Sequence, residues 1–198
     1  MTSRRHDDNG IGEDALIERM KTLLGLPCRD LKTGIGDDAA VIPLPGGETD
    51  LLFTTDLLVE HTHFLPSASP YHVGWKALAA SVSDIAAMGG RPTVALVSVG
   101  LHPRERAVFI ESLYEGITAC ARRYGVAVAG GDTVRSERKN IVNVALLGEV
   151  ARGRAILRSG ARPGDALLVS STCGDSAAGL LLIQAAAWKK RKRSPALK

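Results

Sequence analysis

Four carboxylate motifs hold most of the chemistry this sequence can offer. Gly36-Asp37-Asp38 precedes an apolar run and Thr54-Thr55-Asp56 lies within one. Ser83-Asp84 sits among small residues, and Gly130-Gly131-Asp132-Thr133 follows another apolar run. In each, a carboxylate stands beside glycines or hydroxyl residues. A buried carboxylate without a partner is costly, so convergence of several demands protonation, a basic partner or a metal ion. Few Lys or Arg residues flank these motifs, which favours metal. Magnesium takes oxygen ligands, keeps waters and bridges one or two carboxylates to substrate phosphates. Thr54 and Thr55 would add hydroxyl oxygens. Such a site neutralises phosphate charge during phosphoryl transfer. Each motif also has a plainer account. Asp beside Gly is common in turns for local reasons, which covers Asp37, Asp38 and Asp132. Asp84 has the weaker excuse, because a mid-helix Asp on an alanine-rich face caps nothing.

Other constellations are thinner. His61 and His63 would face one side of a strand, but no third zinc ligand accompanies them. The sequence has no G-x-x-x-x-G-K-[ST] loop, no G-x-G-x-x-G after a strand and no G-x-S-x-G nucleophile elbow. Arg122-Arg123 reads as a solvated helix face and Trp75 as core or interface. Cys28, Cys120 and Cys173 are odd in number, dispersed and without C-x-x-C spacing, as expected of reduced cytosolic thiols.

The elements that must position these groups follow from periodicity. A polar arm leads into a helix from about Gly12, with Leu16, Ile17, Met20, Leu23 and Leu24 on one face and Gly25 and Pro27 as its stop. Ala39 to Leu44 and Leu51 to Val59 read as strands around the Pro45-Gly46-Gly47 turn, pairing as a hairpin. Pro70 opens a long helix that carries Val73, Ala77, Ala80, Ser81, Asp84 and Met88 on one face and stops at Gly89-Gly90. Thr93 to Leu101 is a strand. Pro103 begins a helix through Tyr124, closed by Gly125. Val126 to Ala129 is a short strand ending at Gly130-Gly131-Asp132, and Ile141 to Val150 is another. Ala166 to Ser170 reads as a strand and Gly174 to Trp188 as a helix. This order predicts an α+β fold, a mixed sheet with helices packed on one face.

Composition narrows the class. The chain has 198 residues, 45% hydrophobic and 23% charged, which excludes a wholly disordered or collagen-like protein. Gly is abundant (21) and aromatics scarce (4%), suiting close backbone approach to a ligand more than base stacking. The net charge of +4 belongs to the end: six of the 25 basic residues lie within 189–198, and without them the 21 acidic residues prevail. An acidic body does not imply nucleic acid. The KKRKR run is either a nucleic-acid or nuclear-localisation patch or a solvated end. No secretory leader opens the chain and no apolar run approaches the roughly 20 residues of a membrane span, so a cytoplasmic protein is expected.

Five motifs together resemble a known family. Gly36-Asp37-Asp38-Ala39-Ala40, Thr54-Thr55-Asp56 with His63-Phe64, Gly74-Trp75-Lys76-Ala77, the run Ser83-Asp84-Ile85-Ala86-Ala87-Met88-Gly89-Gly90, and Gly130-Gly131-Asp132-Thr133 are similar, in order and spacing, to the thiamine-monophosphate kinases. These belong to the aminoimidazole ribonucleotide synthetase superfamily. The resemblance runs from about Gly12 to about Ile183. It implies a transfer of the γ-phosphoryl group of ATP to thiamine monophosphate, direct and in line, with several Mg²⁺ ions holding the phosphates. It implies metal ligands at Asp38, Thr54, Thr55, Asp56, Asp84 and Asp132. Nucleotide contacts would fall at Tyr114, Gly131, Asp132 and Arg158, and a thiamine contact at His63. A homodimer through the sheet of the first domain is also implied.

The expected organisation is an arm (1–11), a nucleotide- and Mg-binding dimerisation domain (12–150), a linker (151–163), the opening of a second α/β domain (164–188) and a basic tail outside the family pattern (189–198). Family members continue through a complete second domain, so slow or absent turnover is expected of this chain. Alternative expectations are a superfamily relative acting on another phosphorylated substrate, a non-catalytic nucleotide-binding or dimerisation fragment, and a tail-driven nucleic-acid binder.

Overall fold

The structure is a computed structural model, which describes residues 12–24 and 31–193. The arm, the expected helix stop at Gly25 and Pro27, Cys28 and residues 194–198 lie outside the described residues. Contacts divide the chain into two compact units, Met1–Gly160 and Ala161–Lys198.

In the first unit, β1 (Ala40–Pro43) and β2 (Thr49–Val59) form the expected hairpin, with Ala40 opposite Phe53. β5 (Ile141–Ala151) lies antiparallel between β2 and β3 (Arg91–Leu101), and β4 (Ala127–Arg135) runs parallel to β3. The sheet order is β1-β2-β5-β3-β4, a mixed sheet. β5 alternates strictly, with Val142, Val144, Leu146 and Val150 buried, which is the pattern of a strand covered on one face. That face carries α2 (Pro70–Ala87) and α3 (Ala107–Tyr124), as the α+β reading anticipated. Leu52, Leu78, Ile85, Leu113, Ile117 and Leu146 are fully buried between sheet and helices. Each such side chain is worth roughly 1.5–3 kcal/mol of transfer free energy.

The two helices touch through glycines. A Cβ at Gly74 would lie 2.0 Å from the Leu113 carbonyl oxygen, and one at Gly116 would lie 1.9 Å from that of Tyr71. Only glycine permits backbones this close. Cys120, one turn after Gly116 on α3, is buried, and burial pushes its thiol up to about 11, which disfavours the thiolate form.

Several expectations shift. α3 starts at Ala107 rather than Pro103, because 103–106 form a turn whose Glu105 N–H donates to the His102 carbonyl. β4 does not end at Gly130-Gly131-Asp132 but runs through it. A bulge beside Ala95 and Leu96 resets its register, and Gly131 then packs where a Cβ would stand 1.6 Å from the Val97 carbonyl oxygen. α1 (Glu13–Leu24) forms as expected, but Leu16, Met20, Leu23 and Leu24 on its apolar face are exposed.

In the second unit, 166–170 is not a strand. Leu167, Leu168 and Val169 are exposed, and no described segment pairs with them, without which an extended run makes no ladder. α4 (Asp175–Arg193) continues past Trp188 into the basic run. No described helix is long and apolar enough to cross a membrane.

Candidate functional site

β2 delivers the central motif. Its inward phase places Asp50, Leu52, Thr54 and Leu58 on the helix side, while Phe53, Thr55 and Leu57 face out. Thr54 and Thr55 therefore diverge. The Thr54 hydroxyl donates to Asp84 Oδ2 on α2 at 2.7 Å, and one turn earlier the Ser81 hydroxyl donates to Asp56 Oδ2 at 2.9 Å. The alanine-rich face of α2 is thus the face that brings Asp84 against the sheet. Asp38 enters just ahead of β1, and Asp37, Asp38, Thr54 and Thr55 line one open cleft of about 380 Å³.

Burial pushes the Asp84 carboxyl above the usual carboxylate range, although the Thr54 hydroxyl bond opposes it. The charges of Asp56 and Asp38 push it further up, while Arg158 pulls it back. Asp38 and Asp56 are therefore each within electrostatic reach of Asp84. Among the described residues, Asp56, Asp84 and Asp132 take part in no ion pair.

Asp38 does have a basic partner. Arg158 forms an ion pair with it, with Nε donating to Oδ1 at 3.0 Å, and the Arg158 N–H donates to Asp37. The scarcity of neighbouring cations in sequence missed this pair, because the two ends are 120 residues apart. Asp37 also accepts the Asp38 N–H, which is the local turn role.

The donor set is entirely of oxygens, which suits a hard cation. Yet no three His, Cys, Asp or Glu side chains among the described residues are gathered closely enough to hold a metal. An ion there would complete its shell with water and phosphate oxygens, as magnesium does.

Asp132 stands apart. The register runs from Leu57 to Asn143, Ser98 and then Asp132, three strand spacings of about 4.8 Å, or about 14 Å. Asp132 and Gly131 line a second cleft with Tyr114 of α3, and Asp132 also borders an outer-face cleft with Leu57, Ser98 and Asn143. His61 and His63 are not on a strand but in the turn after β2, where His61 has φ 66°. That turn removes the common side a zinc pair needs. His63 Nδ1 accepts the Val59 N–H at 2.9 Å and its carbonyl accepts Lys76 Nζ.

Three polar residues escaped the motif reading. Asp50 is wholly buried and accepts Lys32 Nζ at 2.7 and 2.8 Å and the Gly153 N–H at 2.8 Å. These bonds hold its carboxyl below the usual range, with the Gly153 bond as the largest cause. It fastens the loop leading to Asp38 and the loop leading to Arg158. Its signal was an Asp in phase with Leu52 and Leu58 on a strand. Ser81 and Asn143, which donates to Thr55 Oγ1 and to the Asp56 carbonyl, are the others.

Residues 36–150 match the family described as AIR synthase related protein, N-terminal domain. The chain is similar to thiamine-monophosphate kinases of Bacillus subtilis, at 43% identity over 76% of this chain and 46% of the relative, and of Salmonella typhimurium, at 39% over 87% and 52%. A solved structure described as AaThiL complexed with AMPPCP and TMP superposes with a TM-score of 0.80 at 40% identity, covering 88% of this chain and 53% of that one. The chain spans about half the length of the curated relatives it matches.

Proposed function

Because the chain belongs to the family of AIR synthase related proteins, through that family's N-terminal domain, we propose that it is the magnesium- and ATP-binding part of a cytosolic thiamine-monophosphate kinase. The reaction moves the γ-phosphoryl group of ATP directly to thiamine monophosphate and yields thiamine diphosphate. The observation that carries the reading is the cleft where Asp38 and Thr54 meet, with Asp84 bonded to Thr54 and under the charges of Asp38 and Asp56. Likeness to a protein whose solved complex holds AMPPCP and TMP supports the substrates.

When bound, Mg²⁺ neutralises the phosphate oxygens between which the phosphoryl group passes. Asp56 and Asp84 would hold one ion on the helix side of β2, Thr55 would hold another on the outer side, in the cleft it shares with Asp38, and Asp132 would hold a further ion. Thr54 occupies Asp84 Oδ2, leaving Oδ1 free. Arg158 compensates Asp38 before a ligand arrives, and its planar fork suits a phosphate equally well. Tyr114 and the bare backbone at Gly131 form the nucleotide's second contact area. His63, with Nδ1 accepting a backbone N–H, carries its proton on Nε2 and presents that donor to the thiamine substrate.

The outer face of the sheet supports self-association. Phe53, Leu57, Leu96 and Val134 are 44–55% exposed on or beside it, an apolar area that a second copy would cover. Calorimetry with ATP or ADP tests the nucleotide site. Binding should need Mg²⁺, and equal affinity in excess chelator would remove the metal bridge. A coupled assay with thiamine monophosphate, beside a full-length relative, tests the reaction.

A further inference from the structure

A polar row crosses the apolar outer face of the sheet. Asn143 sits on β5 between the outward Ile141 and Ala145, opposite Leu57 on one side and Ser98 on the other, and Ser98 lies opposite Asp132. An Asn in mid-strand is disfavoured on packing grounds. Its bonds supply the reason. Nδ2 donates to Thr55 Oγ1 at 2.9 Å and to the Asp56 carbonyl at 3.0 Å. A carbonyl only accepts, so the amide's orientation is fixed, nitrogen toward β2. A threonine hydroxyl has one proton and two lone pairs and otherwise rotates to suit its surroundings. Asn143 engages one lone pair. The other is left for a cation and the proton for a phosphate or water, in the cleft Thr55 shares with Asp38.

We infer that Asn143 is a positioning residue that orients the Thr55 hydroxyl to accept a divalent cation. This rests on the magnesium–nucleotide reading above and adds a residue that lies in none of the carboxylate motifs. Because Asn143 acts through Thr55, its loss should change metal affinity more than the nucleotide affinity at saturating metal.

The test uses the full chain with Mn²⁺ as the probe, its binding followed by paramagnetic resonance in the presence of ADP. Asn143→Val keeps the strand preference and removes both donors, while Asn143→Thr keeps one donor. An orienting hydrogen bond of ordinary strength corresponds to a factor of about three to ten. Asn143→Val should raise half-saturating Mn²⁺ by that factor and leave the melting temperature of the metal-free chain and the ADP affinity at saturating Mn²⁺ near wild type. Asn143→Thr should recover part of the loss. An unchanged Mn²⁺ curve in Asn143→Val, with wild type binding normally, overturns this inference and leaves the parent reading standing. A lowered melting temperature with metal and nucleotide affinities falling together makes Asn143 a structural strand bond and also overturns it. Absence of metal-dependent ADP binding in wild type itself removes the parent reading and this inference with it.

Discussion

Replacing Asp50 by Asn should loosen both loops that border the cleft. The carboxylate is inaccessible to solvent and receives Lys32 Nζ on both oxygens and the Gly153 N–H on one. Asn keeps an acceptor for Gly153 but loses the charge. Hydrogen bonds to charged groups contribute about 1.5–3 kcal/mol and neutral ones about 0.5–1.5. Lys32 is 40% exposed and regains water when released, which limits the loss. The expected cost is therefore about 1–3 kcal/mol, or roughly 2–12 °C in melting temperature for a chain of this size. The pH dependence carries a sign. Asp50 titrates below its ordinary value of 3.8 in the fold, so its contribution is present above 3.8 and is lost as pH falls through the lower folded value. Melting curves of both proteins from neutral pH into acid read this directly. The gap should be full at neutral pH and close in acid. Equal melting temperatures at neutral pH, or a gap that persists in strong acid, would refute the fastening role.

Asp84→Asn should abolish metal-dependent nucleotide binding in calorimetry yet raise the melting temperature by about 1–3 °C, since it removes a carboxylate charge that burial disfavours and that Asp56 and Asp38 repel. Asp37→Asn should weaken binding far less, because its oxygens serve the turn and the Arg158 backbone. Gly131→Ala should cost more than about 3 kcal/mol in denaturant unfolding, because a Cβ there meets the Val97 carbonyl oxygen. On the self-association proposed above, wild type should scatter as a dimer at micromolar concentration, and Leu96→Lys should leave the chain folded but scattering as a monomer, as Leu96 is half-exposed on the outer face.

Local patterning exposed much of the fold. The hairpin, α2 and β5 were legible because one covered face forces strict alternation or a helical stripe on each. The run at 166–170 misled for the same reason: Leu167, Leu168 and Val169 have strand composition, but a ladder needs a partner, which composition cannot supply. At the site, the motifs named Asp38, Thr54 and Asp84 as residues of interest, and only the fold brings Thr54 against Asp84 and into one cleft with Asp38. They did not reveal that Thr54 and Thr55 point to opposite faces, which follows only from the register, nor that Asp132 is three strands away. Arg158 was legible only through resemblance, since its ion pair with Asp38 closes a loop of 120 residues. Sequence-distant partners of this kind leave no local periodicity to read.

The position of β5 also governs when this domain can be completed during synthesis. Its residues, Ile141–Ala151, are the last strand of the sheet in chain order but lie at its centre, between β2 and β3. Until they leave the ribosome, the β1–β2 hairpin and the β3–α3–β4 unit have no common ladder. Each then presents an unpaired inner edge that is apolar on one side, the kind of transient surface that recruits chaperones or misassembles. Closing the sheet joins Asp50 to Val150 across about 100 residues of chain, so assembly should be slow relative to the formation of either half.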